Sequence, residues 1–496
     1  MFWKPIPWGT VDQNKAVKQG AISAPVNNKP VSFLPGSHPL VNQERNTYLR
    51  EYENKVKLGF DEVKTVLAEI VKHNQTNDFV GNANRELVNR LGVKLENEDW
   101  QSVVGTQPAI AVQKLFSKVV FKQFLNLSQD FYLNDPLDGQ IVDEATRILR
   151  DAGVHGLGIA PCADGRLSHF ISYVIRMPYA LARRKAHAGA LFDVSESVRN
   201  WVFVEHTRFR DGVPNRADEP TQYMKMAVYH FSKSDPSHQG CAAHCSNDEK
   251  AAQAALDKLV DFKQAIQNRF GHDTTVQTLL VGVNTDDDSI KLHVPDRFGQ
   301  MSLCRFIDSG VLYNTTQSLD VEQAKQKILG SVEECAGYMN TSKESSGLHK
   351  FYAWLIENNF AQIEYVNQFE DGCYTDIGHA ERFICVGSGF EEIQLRNLSY
   401  FSFLNTIEEG VNDIDVGIKI FKGLNVKHGK PIPIIICCEF DGRVPGSKDR
   451  ASEKAQRIES AIHARFHELS SCNMISTMKT LRDHTGYLPV EMLENR

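Results

Sequence analysis

The sequence has no uninterrupted apolar run near the ~18 residues that span a bilayer, so no membrane-embedded segment is expected. Its opening stretch, MFWKPIPWGTVDQNK, lacks the apolar core of a secretory signal. Positive charge is also scarce: 55 Lys and Arg stand against 62 Asp and Glu, a net charge of −7, which argues against a nucleic-acid partner. The ten cysteines form no disulfide framework. Most stand singly in apolar segments such as SLCRF and FICVG, where a thiol serves as a small buried hydrophobe. The acid cluster in NTDDDSIKLHVPD lacks the central glycine and terminal glutamate of an EF-hand, and a polar hairpin turn accounts for it. These absences leave a protein of the reducing cytoplasm, and 496 residues with 42% hydrophobic content require more than one core.

Four regions follow from composition and periodicity. Residues 1–45 are rich in Pro, Asn, Gln and Ser without sustained periodicity, which predicts a disordered arm. The arm carries FWKPIPW, read either as an inert tail or as a short motif that docks Phe2, Trp3 and Trp8 on a partner. Residues 46–138 repeat apolar positions at helical spacing and predict a helical support or oligomerisation domain. Mixed α/β patterning occupies 139–378, with strands in VHGLGIAPC, MKMAVYHF, VQTLLVGVN and IKLHVPD. The helix DEKAAQAALDKLVDFKQAIQNRF is expected to start at a capping box of Ser246 and Glu249. Residues 379–496 weakly repeat this plan: PIPIIICCEFDGRVPG resembles MAVYHFSKSDP, and the following helices end AIHARF and AIQNRF. FICVGSGFEEI is set against IAPCADGRLSHF, which puts Cys385 opposite Cys162 and Gly387 and Gly389 at the places of Asp164 and Arg166. The reading is a duplication whose second copy lost its site. The basic run ARRKAH (182–187) reads as a solvated helix face, and Cys437–Cys438 as a buried strand end.

The chemistry concentrates in HQGCAAHC (238–245) and PCADGRLSH (161–169). Cys162 ends an apolar strand, His230 ends a second, and Cys241 lies in a Gly-Cys turn before a helix. Two thiolates and one imidazole suit zinc, and three protein ligands leave the fourth tetrahedral position open, as catalytic sites require. Cys245, His238 or His244 would complete a structural site instead. Asp164 and Arg166 favour catalysis: a carboxylate two residues past a thiolate ligand can orient a reacting hydroxide, and an arginine fork keeps it ionised.

The CxDxR string with these His and Cys ligands resembles β-class carbonic anhydrases. APCADGRL, RMPYALARRKAHAGALFDV, RFRDGVP, AVYHFSKSDPSHQGCAAH, IGHAERF and DVGIKIFKGLNVKHG are similar to the carboxysomal, shell-associated carbonic anhydrases, a divergent β form once called the epsilon class. The resemblance runs from about residue 140 to the C-terminus. It implies an α/β fold class: an N-terminal helical domain, a β-carbonic-anhydrase-like zinc domain and a degenerate copy lacking the metal site. It puts one zinc per chain on Cys162, His230 and Cys241, with His238 the rival for His230 because HQGC also fits HxxC. The catalytic dyad falls on Asp164 and Arg166, and a proton relay on His379, which a packed junction histidine would equally explain. The implied reaction interconverts CO2 and bicarbonate through zinc-bound hydroxide, and the implied place is the carboxysome. Expected partners are Rubisco, through the arm, the protein shell, and further copies of the chain, at least as a dimer. The competing class is a weakly catalytic zinc-stabilised scaffold linking shell and Rubisco. A zinc hydrolase is a more distant reading, since no His-Glu general-base motif is present. Where the family pattern has glycine this chain has Cys245, whose thiol would be inert, compete for metal or oxidise against Cys241.

Overall fold

The computed structural model describes residues 37–133, 139–178, 181–210, 222–237, 240–271, 276–296, 298–337, 343–374, 381–387, 399–402, 411–483 and 491–493. Among the residues singled out in the sequence, His238, His379, Gly389 and the arm up to residue 36 lie outside them. By internal contacts the chain divides into two units: one takes 1–46, 137–163 and 169–377, the other 47–136, 164–168 and 378–496.

The first unit is built on a six-stranded sheet. Its strands are β1 (Val154–Pro161), β2 (Arg183–Arg184), β3 (Gln222–Phe231), β4 (Val276–Asn284), β5 (Ile290–His293) and β6 (Ile307–Asp308), in the order β2-β1-β3-β4-β5-β6. The first four in that order run parallel, and β5 and β6 pair antiparallel. All ten residues of β3 are buried, as expected of a central parallel strand covered on both faces. The crossover to β4 is the helix Asp248–Phe270, whose buried Ala251, Ala255, Leu259, Phe262 and Ile266 recur at helical spacing and pack on Tyr223, Ala227 and Phe231 of β3. Its cap is Asn247, which accepts the Lys250 N–H. Ser246 has φ +58°, outside the usual extended cap conformation, so the start lies one residue later than the capping box predicts.

The run ARRKAH is no helix face: Arg183 and Arg184 form β2 beside β1, and Arg184 and His187 are buried. Lys185 pairs with Glu196, and Lys225 sits 4.4 Å above the Phe192 ring. A two-residue edge strand is too short to show a period of its own, so the run passes for a helix face. The acid cluster is a turn between antiparallel β4 and β5, as read, but Asp286, Asp287 and Asp288 are buried.

In the second unit the helices Val63–Val71, Phe79–Leu91, Asn97–Gln101 and Pro108–Leu133 bury apolar positions such as Val63, Val66, Leu67 and Ile70. Ser117 of the last helix donates Oγ–H to the Ser476 carbonyl at 2.6 Å and takes the Ser476 hydroxyl on its own N–H at 3.0 Å. Ser476 belongs to a five-stranded sheet of β7 (Phe383–Gly387), β8 (Ser399–Ser402), β9 (Ile432–Phe440), β10 (Ile475–Asp483) and β11 (Glu491–Leu493), ordered β11-β10-β9-β7-β8. β8, β7, β9 and β10 are parallel and β11 is antiparallel, which repeats the order and sense of β2, β1, β3, β4 and β5. The crossover helix Ser447–Arg465 buries Ala451, Ala455, Ile458 and Ile462 on this sheet.

Register aligns the two sheets residue by residue. Tyr223 pairs with Val276 at the start of β4, and Ile432 with Ile475 at the start of β10. His230 then corresponds to Glu439, Phe231 to Phe440 and Pro236 to Pro445. Even a side-chain contact recurs: the Lys233 N–H reaches Asn284 Oδ1 at 3.3 Å, and the Gly442 N–H reaches Asp483 Oδ2 at 3.2 Å. The same register corrects one alignment. Gly387 pairs with Cys437 as Pro161 pairs with Val228, so Cys385 stands where Ile159 does and not opposite Cys162. Two short glycine-containing strings allow a slip that hydrogen-bonded register does not.

Candidate metal centre

Cys162 directly follows β1 and continues its ladder, donating its N–H to the Val228 carbonyl at 2.9 Å. His230 is the penultimate residue of β3. Cys241 opens a tight turn in which the N–H groups of His244 and Ser246 both return to its carbonyl. A Cβ on the preceding Gly240 would lie 2.8 Å from Asp248 Oδ1 and 2.9 Å from the Ser246 backbone, so close packing requires glycine before the cysteine.

The turn brings one ligand atom from each of Cys162, His230 and Cys241 within 4.8 Å of the others, all three residues being buried. The sulfur atoms lie 3.7 Å apart, and neither cysteine is in a disulfide. Zinc bonded to sulfur at about 2.3 Å in a tetrahedron separates two thiolates by ~3.8 Å, so the spacing fits that ion. Electrostatics agree. The Cys241 thiol, then burial, pushes the Cys162 thiol well above its ordinary range, with His230 opposing. Two thiolates this close in an apolar setting call for a cation between them. Among the described residues this is the one group of three or more His, Cys, Asp or Glu side chains with metal-binding spacing, and the acid turn is not another.

Asp164, two residues past Cys162 in sequence, opens a one-turn 3-10 helix, Gly165–Leu167. Asp164 Oδ1 accepts the Arg166 N–H at 3.0 Å and its Nε–H at 2.9 Å, and Oδ2 accepts Nη2–H at 2.8 Å. The fork predicted for this pair is present, nine-tenths buried on both side chains. Cys245 has φ +52°, a left-handed conformation in which glycine is at ease, and its thiol is exposed.

Several residues near these elements were not visible to motif reasoning. His169 Nε2, Gln362 Nε2 and Tyr374 Oη all reach Asp288 Oδ2, at 2.8, 2.8 and 2.7 Å. Asp248, half-buried at the first turn of its helix, has its carboxyl pushed up to about 6 by burial. Their partners are remote in sequence, so no local pattern marks them.

Comparison with known proteins accounts for nearly the whole chain. Residues 38–132 match the family described as Carboxysome Shell Carbonic Anhydrase, N-terminal; 144–379 match its catalytic domain; 380–496 match its C-terminal domain. The carboxysome shell carbonic anhydrase of Hydrogenovibrio crunogenus is 59% identical over 462 residues, 93% of this chain and 88% of the relative. Those of Prochlorococcus marinus and Halothiobacillus neapolitanus are 42% identical over 90% of the chain and 38% identical over 92%, covering 86% and 89% of the relatives.

Proposed function

This chain belongs to the carboxysome shell carbonic anhydrase family, and from that premise we propose that it interconverts CO2 and bicarbonate at one zinc held by Cys162, His230 and Cys241. The observation that carries the assignment of ligands is the convergence of two thiols and one imidazole within 4.8 Å at the ends of two parallel strands and a Gly-Cys turn. Zinc, when bound, lowers the pKa of water to near neutrality. Asp164 accepts the hydrogen of the attacking hydroxide and turns its lone pair toward the carbon of CO2. Arg166 fixes that carboxylate's direction through the three-bond fork, and the burial of both side chains supports this assignment. His379 is proposed to carry the released proton to solvent, since imidazole titrates near neutrality.

The carbonic anhydrase acts in the carboxysome. There we assign it the supply of CO2 to Rubisco, with residues 1–45 as the Rubisco-binding arm, the shell as a second partner and a homo-oligomer as the working form. We also read residues 46–138 as a helical domain, 139–378 as the catalytic domain and 379–496 as a degenerate β-carbonic-anhydrase-like copy. The common strand order, the matched register and Glu439 at the place of His230 support the duplication.

Stopped-flow CO2 hydration with zinc analysis tests the assignment. Cys162→Ala is expected to lose both metal and rate. Asp164→Ala is expected to keep metal and lose rate by about 10²-fold or more, as for removal of an oriented transition-state contact. A protein with one zinc and no rate above buffer, or an Asp164 variant that loses zinc, would overturn it.

A further inference from the structure

The string RMPYALARRKAHAGALFDV supplies a turn that has no task in the proposed mechanism, yet it meets both cysteine-bearing loops. On one side it extends the sheet. His187 stands opposite Cys162 in parallel register, donating its N–H to the Pro161 carbonyl at 3.0 Å and accepting the Ala163 N–H at 2.9 Å. One residue thus brackets the first thiol with two backbone bonds. Gly189 and Ala190 then take the left-handed conformation, at φ +64° and +60°, and the Ala190 N–H returns to the His187 carbonyl at 2.9 Å. The fold-back lays Gly189 against the turn that carries Cys241. A Cβ on Gly189 would lie 2.6 Å from His244 Nε2, 3.1 Å from its Cδ2 and 3.3 Å from the Ala243 Cβ. His244 is itself tied to the second thiol's residue, its N–H bonding the Cys241 carbonyl at 3.0 Å.

We propose that the turn 187–190 is a brace that fixes the spacing of Cys162 and Cys241, with Gly189 as its positioning residue and the His244 ring as its stop. Cys162 continues a sheet ladder, but Cys241 sits in a turn outside the sheet, so packing has to set its place. The brace transmits the ladder's position to that turn through one close contact. Glycine is required there twice over, by its positive φ and by the lack of room for a methyl group. Rotating the imidazole does not clear that room, because the Ala243 Cβ is fixed to its own backbone. His244 lies outside the group with metal-binding spacing, so the candidate fourth ligand takes a packing task instead. The inference rests on the reading of Cys162 and Cys241 as metal ligands.

The test compares variants of the whole protein by zinc affinity against a competing chelator, by the spectrum of the cobalt-substituted form and by melting temperature. Gly189→Ala should bind zinc ~10- to 100-fold more weakly, the usual loss when support for a metal ligand is removed. Its sulfur-to-cobalt bands should shift, which a merely destabilised fold would not produce. Adding His244→Ala to Gly189→Ala should tighten zinc binding again, because the ring no longer fills the gap. His244→Trp crowds the same gap with the Gly189 backbone untouched. It should show the same loss and band shift, and it carries the case if Gly189→Ala fails to fold. Wild-type affinity and spectrum in either single variant, or a double variant no tighter than Gly189→Ala, would overturn the brace while a zinc-free Cys162→Ala left the ligands standing. A Cys162→Ala protein that keeps zinc would instead remove the ligand reading beneath it.

Discussion

Asp287 should cost the folded protein stability, and replacing it should return some. Its carboxylate is 4% exposed and takes one N–H, from Ser289 at 2.8 Å. Burial pushes its pKa up to about 6, with Lys233 opposing and Asp308 adding to the rise. A carboxyl with a folded pKa above its unfolded value holds its proton more tightly when folded. Its contribution is therefore fully present below an unfolded pKa of ~4 and is lost as pH rises through about 6. The difference of roughly 2 pH units amounts to about 3 kcal/mol against the fold at neutral pH. Asp287→Asn keeps an oxygen for the Ser289 N–H and removes the charge. It should gain on the order of 1–3 kcal/mol at pH 7 and nothing near pH 4, read by denaturant unfolding across that range. Asp288 is the internal control, because its Oδ2 receives three donors from His169, Gln362 and Tyr374. Asp288→Asn weakens three charge-assisted bonds and should lose about 2 kcal/mol or more. An Asp287→Asn protein no more stable than wild type at pH 7, or equally favoured at pH 4, would refute the reasoning.

His293 should act in the opposite direction. Burial lowers its pKa from 6.5 to about 4, and Tyr229 Oη and the Ser302 carbonyl occupy its two ring nitrogens at 2.9 and 3.1 Å. The unfolded chain takes up this proton first, so stability should fall as pH drops from about 6.5 toward 4, by up to ~3 kcal/mol. His293→Gln should flatten that limb, and an unchanged limb would show that the loss arises elsewhere. Removing residues 1–45 should leave CO2 hydration intact and abolish co-sedimentation with Rubisco at low salt; a truncated enzyme that still binds would reduce the arm to a tail.

What could be read in advance was local. The strands of the catalytic region announced themselves through runs such as MAVYHF and VQTLLVGVN, because a buried parallel strand has to be almost wholly apolar. Cys162, His230 and Cys241 were legible as candidates because thiol and imidazole at strand ends have few other uses. What escaped was set by contacts between distant segments. Arg184 and His187 look like solvated charge until β2 is seen beside β1. Asp288 looks like any turn acid until Gln362 and Tyr374 arrive from the helix Lys343–Phe369 and just beyond it. The cap moved from Ser246 to Asn247 because the turn around Cys241 uses two successive left-handed residues, Cys245 and Ser246, before the helix can begin.

The Asp-x-Arg fork itself is the element most open to overreading. Asp441 and Arg443, also separated by glycine, form the same three bonds at 3.0, 2.9 and 2.8 Å. The fork is therefore what an Asp-Gly-Arg turn does by itself, and its presence does not mark catalysis. Surroundings separate the two forks: the Arg166 and Asp164 side chains are 9% and 10% exposed, whereas those of Arg443 and Asp441 are 72% and 24% exposed. Two residues before Asp164 stands the candidate ligand Cys162. Two before Asp441 stands Glu439, which pairs with Arg482 at 3.0 Å at the register place of His230. Solvent screens an exposed ion pair strongly, so the outer fork has little to hold and nothing reactive to aim. Arg443→Ala should accordingly leave kcat and KM at wild-type values, while Arg166→Ala should lose rate with zinc retained. Equal loss in both variants, measured by stopped flow, would mean that the fork acts through the fold and not through the candidate metal centre.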